Sequence, residues 1–192
     1  QVFEKNASIN NISWALDLLE ILALNSCPEK EAHLRLLVSF MKFAEKSKHR
    51  LHNQHYELIK ILSRDAEHSV DPNFYPSEEP EIILEEQNYS HLKIGIYSLV
   101  EQAAQRASDT LKKLYKNIKV NINSDKVCTS ELKAMTKNSD IMVFCARVST
   151  HQAYYCIRDN KPKSTKFLQP SGRGSASIIK IVDENIPPLT NK

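Results

Sequence analysis

Glycine is scarce in this chain, with three residues in 192, and two of the three flank Arg173. Positive-φ turns and close backbone approaches are what glycine permits most cheaply. The stretch Gln169-Pro170-Ser171-Gly172-Arg173-Gly174-Ser175-Ala176-Ser177 therefore stands out. Long apolar runs are missing too. None approaches the roughly 20 residues that a bilayer-spanning helix needs, and no signal-peptide pattern opens the chain. The four cysteines, Cys27, Cys128, Cys145 and Cys156, have no CxxC or zinc-type spacing. Cys145 and Cys156 sit among apolar residues and read as buried thiols of a reducing cytoplasm. Established fingerprints are lacking as well: Gly172–Ser177 fits neither GxGxxG after a first strand nor GxxxxGK[ST], and no GxSxG elbow occurs. A receiver domain needs acidic residues ending strands one and three, where Ser98 and Ala146 stand.

What is present is an ordinary globular composition, long enough for one large domain or two small ones without staples. The overall charge of +3 hides a split. Residues 1–91 carry nine Lys and Arg against fifteen Asp and Glu, and residues 92–192 carry seventeen against eight. A basic half attracts phosphate-bearing molecules in general, from nucleotides to nucleic acid. The chain begins at Gln1, which reads as a piece of something longer, with the remainder of a parent chain as partner.

Residues 1–70 predict a helical bundle or brace. Ser13 is placed to cap a helix with Trp14, Leu18, Ile21 and Leu22 on its apolar face, ending near Cys27-Pro28. Pro28 suits the first turn of the next helix, with Glu29 and Glu31 near its positive end. Leu34, Leu37, Val38, Phe40 and Met41 form its stripe. From Glu29 to Val70 there is neither proline nor glycine, so one long helix, or two with a break near Lys48, is expected, the latter half buried through Leu51, Leu58, Ile59 and Leu62. His49, His52 and His55 are spaced three apart, so that His49 and His52 would share a helix face while His55 rotates away. No carboxylate or cysteine lies at a matching turn, however, and a solvated face accounts for them. No metal site is assigned. Residues 71–91, with Pro72, Pro76, Pro80 and a run of glutamates, read as an acidic linker or exposed connection. Docking of that run on the basic half is also permitted by its composition.

Residues 92–186 alternate strands and helices, with a tail at 187–192. Strands are expected at 92–98, 118–122, 140–146 and 165–168, the third being the central one. Helices are expected at 101–115, at 130–137 with Thr129 or Ser130 as cap, from Ser149-Thr150-His151 through Ile157, and after the glycine turn. This spacing predicts an α/β domain, a four-stranded parallel Rossmann-like sheet of flavodoxin-like order 2-1-3-4, preceded by the helical region. Ligands of such sheets bind beyond the strand carboxyl ends, where strand order switches. The rule gathers Ser98 with Glu101, Arg147 with Ser149 and Thr150, His151, and Ser171, Gly172, Arg173, Gly174, Ser175 and Ser177 at one rim. Hydroxyls, N–H groups at two helix starts and two arginines favour an anion there, although Ser149 and Ser175 also suit the simpler role of helix caps.

Asp140-Ile141-Met142-Val143-Phe144, the Ser149-Thr150-His151 helix start and the Gly174-Ser175-Ala176-Ser177 turn resemble a small bacterial α/β domain family of unknown function, over roughly the last hundred residues. The resemblance implies a Rossmann-like sheet in a bacterial cytoplasmic protein, joined to a helical region and found in larger proteins, phage-defence systems among them. It supplies no catalytic residue and no cofactor.

Three functions follow as expectations. The first is a binding or sensing module for a nucleotide or other phosphate-bearing ligand, with the helical half passing the bound state to the rest of the parent chain. The second is an enzyme using His151 as general acid/base with Glu101 or Ser175 assisting, since histidine titrates in the useful range. The third is nucleic-acid binding through Lys112, Lys113, Lys116 and Lys119, without an RRM, KH or helix-turn-helix signature. A homo-oligomer stays open, and no membrane partner is expected.

Overall fold

A computed structural model describes residues 11–25, 29–76 and 88–186. The expectations for Cys27 and Pro28, for Pro80 and the glutamates of 78–86, and for the tail at 187–192 lie outside the described residues. Two compact units divide the chain, Gln1–Glu85 and Glu86–Lys192. Among the described residues no helix is long and apolar enough to cross a membrane.

The first unit holds α1 (Ile12–Leu24), α2 (Lys30–Lys46) and α3 (Asn53–Asp65), with α1 packed on both of the others. A 3-10 turn at Lys48–Arg50 breaks the long proline-free stretch near the expected place. The buried face of α1 is Ile12, Ala15, Leu16 and Leu19, whereas Trp14 is 56% exposed, so the helix is rotated from the face expected. The cause is composition: α1 is apolar nearly all round, and only its two neighbours select a side. Its cap is Asn11, and Ser13 lies buried inside the helix. In α2, Leu37, Phe40 and Ala44 are buried and Leu34 is exposed. His52 caps α3 and the His55 Nδ1 accepts the His52 N–H at 3.0 Å, with the two rings edge to face. His49 stands in the preceding 3-10 turn, so the histidines serve a helix start and do not share one helical face.

The second unit is the sheet. Strands β1 (Lys93–Tyr97), β2 (Lys119–Asn123), β3 (Ile141–Phe144) and β4 (Lys166–Leu168) are parallel in the order β2-β1-β3-β4. Helices α4 (Glu101–Leu114), α5 (Ser130–Lys137), α6 (His151–Asn160) and α7 (Ser175–Asp183) complete a three-layer α/β fold. Helix α4 packs on α7, and α5 packs on α6. Strand alternation matches those layers. Tyr97, Met142, Phe144 and Phe167 meet Leu132, Met135, Cys156 and Ile157 of α5 and α6. By the two-residue period, Ile94, Ile96, Ile141 and Val143 face α4 and α7. Every residue of β3 is buried, as a central strand covered on both faces requires. β2 is half exposed, as its alternation predicts.

Gly95 is the glycine this packing demands. A Cβ there would stand 2.6 Å from Ser139 Oγ and 2.8 Å from Met142 Sδ. One reading of the cysteines is overturned: Cys156 is not a thiol but forms a disulfide with Cys128, with a Cα–Cα distance of 5.4 Å. The bridge ties the approach to α5 to the middle of α6. Helices that are distant in sequence pack side by side, and no sequence spacing records that neighbourhood. Cys145 is buried and stands outside the bridge.

Candidate functional site

Four parallel strands put their carboxyl ends on one edge, and the switch in strand order falls between β1 and β3. Ligands of open α/β sheets bind outside that edge at that point. Main-chain bonds knit three of the loops there. Leu99 N–H donates to the Val148 carbonyl at 3.0 Å, Ser98 N–H to the Asn123 carbonyl at 3.1 Å, and Cys145 N–H to the Tyr97 carbonyl at 3.0 Å. Val143 and Leu168 are register partners, so the 169–174 turn leaves the same edge beside the loop that follows β3.

Each expected residue takes a definite place on this edge. Ser98 is fully buried, and its Oγ accepts the Val100 N–H at 3.1 Å. Glu101 is the exposed first residue of α4, a helix start without a side-chain cap. Arg147 is exposed in the 3-10 turn Ala146–Val148, and Ser149 Oγ donates to the Ala146 carbonyl at 2.9 Å. The cap of α6 is Thr150, not Ser149: its Oγ1 accepts the Ala153 N–H at 3.1 Å and donates to the Lys126 carbonyl at 2.6 Å. His151 is the exposed first residue of α6. Ser171 and Arg173 are exposed and Gly172 is half-buried, while Gly174, Ser175 and Ser177 are buried. Gly174, not Ser175, is the cap position of α7, in extended backbone at φ −93°. No described glycine has positive φ, so this turn does not use the left-handed freedom expected of it.

The loop after β2 also belongs to the edge, and sequence reasoning passed over it. Asp125 N–H donates to Asn123 Oδ1 at 3.0 Å, and the Asn123 amide donates to Asp125 Oδ2 at 2.7 Å. The Thr129 hydroxyl donates to the same carboxylate while its Oγ1 accepts the Leu132 N–H at 3.2 Å, capping α5. Hydrogen bonds from Thr129 and then Asn123 hold the Asp125 carboxyl below its ordinary range. Beneath it the Tyr97 hydroxyl donates to the Asp125 carbonyl at 2.9 Å, and burial pushes that phenol up. The signal was available in Asn123-Ser124-Asp125, a turn composition at the end of a parallel strand.

The edge thus combines exposed Lys126, Arg147 and Arg173 with the carboxylates of Glu101 and Asp125. Guanidinium groups in this setting can take a phosphate or carboxylate in a two-pronged grip. A cavity of about 750 Å³ lies elsewhere, inside the helical unit, lined by Met41, Phe43, Val70 and Phe74 with Lys42 and His68. Among the described residues no group of three or more His, Cys, Asp or Glu is placed to hold a metal ion.

Fold and edge together define an open, doubly wound parallel α/β domain whose carboxyl-end rim is built from short loops. The chain belongs to the DpdD-like family, whose model matches residues 1–181. No curated protein and no solved structure matches it.

Proposed function

We propose that the second unit is a binding or sensing module of a larger bacterial protein. It holds a nucleotide or another phosphate-bearing ligand at the carboxyl ends of β1, β3 and β4, and the helical unit passes the bound state onward. One observation carries this reading. The neighbouring parallel strands β3 and β4 send exposed Arg147 and exposed Arg173 off the same edge, beside the switch in strand order. The start of α4 adds backbone donors at a helix amino terminus that no side chain caps. The phage-defence setting implied by the sequence resemblance is compatible with membership of the DpdD-like family.

Titration calorimetry of the full chain against a panel of ribonucleotides tests the proposal. Binding of at least one nucleotide is expected, weakened about tenfold or more in Arg173→Ala, because a charged hydrogen bond is worth about 1.5–3 kcal/mol. No binding by any nucleotide sinks the reading. Product formation that disappears in His151→Ala would instead make the same edge an active site.

A further inference from the structure

The positive charge of the second unit does not gather at the carboxyl-end rim. Crossover helices return the chain to the start of the next strand, so α4, α5 and α6 end at the opposite, amino-terminal edge of the sheet. Three of the four strands begin there with a lysine: Lys93, Lys119 and Lys166. Lys116 follows α4, Lys137 ends α5, and Lys163 lies in the turn between α6 and β4. All six are exposed.

Two features separate this edge from an ordinary solvated surface. Lysines in a last helical turn complement the helix dipole, which accounts for Lys137 but not for the strand residues Lys93, Lys119 and Lys166. Lys93 and Lys119 are, moreover, direct register partners in adjacent strands, about 4.8 Å apart. Like charges placed opposite one another in a sheet work against stability. Among the described residues, acids stand here too. Asp159 pairs with Arg158 at 2.8 Å and Glu184 with Lys180 at 4.0 Å. Asp140 accepts the Lys93 backbone N–H at 2.8 Å and Asp183 the Tyr115 hydroxyl, so the six lysines outnumber the two carboxylates bonded to neutral donors.

We infer that the amino-terminal edge is a docking surface for a nucleic-acid backbone, bound without regard to sequence. The six lysines spread across all three layers, too widely for one small anion. A polyanion with closely spaced phosphates engages them together. All six are point charges on flexible stems, which position a protein on phosphates and carry no base readout. This surface is separate from the rim of Arg147 and Arg173 and stands or falls without it.

Fluorescence anisotropy with the full chain and a labelled 20-base-pair duplex of arbitrary sequence tests the inference between 50 and 200 mM salt. Affinity should fall steeply with salt, as release of counterions from several phosphates requires. The triple change Lys93→Gln, Lys119→Gln and Lys166→Gln should weaken binding at least tenfold, reduce the salt slope by about 2–3 (near 0.9 per phosphate contact) and leave nucleotide binding unchanged. Lys→Arg at the same three positions should restore it. Should the glutamine triple fail to fold, Lys116→Gln, Lys137→Gln and Lys163→Gln serve as the second set. No duplex binding by the parent chain, or unchanged affinity in a folded glutamine triple, overturns the inference.

Discussion

Gly95 shows how much one missing side chain decides. It pairs with Met142 across the β1–β3 ladder, and the space a Cβ would need is filled by Ser139 Oγ and Met142 Sδ. Gly95→Ala forces that packing apart, and a stability loss of about 1–3 kcal/mol is expected in urea unfolding followed by circular dichroism. Asp125 gives a prediction with a sign in pH. Its carboxyl is held below the ordinary range by Thr129 and Asn123, so the folded state prefers the charged form. The stability it contributes is present above the ordinary carboxylate pKa and is lost as pH falls through the lower, folded value. Asp125→Asn should therefore lower the melting temperature at pH 7 by a fixed amount that shrinks below about pH 4. An unchanged penalty at pH 2.5 would contradict that assignment.

At the scale of elements, the bridge between Cys128 and Cys156 is the most consequential feature. It closes a loop that contains α5, β3 and half of α6, and Thr150 reinforces the same junction through the Lys126 carbonyl. Cys128→Ser with Cys156→Ser should cost about 2–4 kcal/mol, read as a drop in melting temperature that a reductant reproduces in the parent chain. Equal melting with and without reductant would show that the bridge is not formed. Helices α4 and α7 are joined by the Tyr115 hydroxyl on Asp183, and burial, followed by that carboxylate, raises the Tyr115 pKa strongly. A raised tyrosine pKa contributes stability that is complete below the ordinary value near 10 and lost as pH rises above it. Tyr115→Phe should flatten the alkaline limb of the stability profile above pH 10.

These elements were legible to different degrees. The run Ile141–Phe144 announced itself as a strand buried on both faces, and Thr129-Ser130 announced the start of α5, where Thr129 is the cap. Helix α1 was legible as a helix but not in its orientation, because Trp14, Leu18 and Leu22 offered an apolar face as plausible as the one that packs. The placing of the candidate residues on one edge was legible wherever the parallel-sheet rule applied and illegible where a side chain finds a distant partner. Ser98 turned inward to Val100, and Thr150 reached to Lys126 across 24 residues.

For the whole molecule, the two edges of the sheet form two electrostatic environments. A five-residue strand is about 17 Å long, roughly twice the ~8 Å screening length at physiological salt. A nucleotide at the carboxyl edge and a duplex at the amino edge should then bind independently. Saturating nucleotide is expected to change duplex affinity less than twofold in the same anisotropy assay, and strong competition would place both ligands on one surface.

By itself the sequence determined the alternation of strands and helices and the excess of positive charge after residue 92, because these follow from local periodicity and composition. The general rule for such alternation supplied the parallel sheet. Only the tertiary structure decided which face α1 buries, that Cys156 meets Cys128, and that the lysines stand opposite the loop rim. Each of those depends on which surfaces, distant along the chain, fold against one another, and no local spacing encodes that choice.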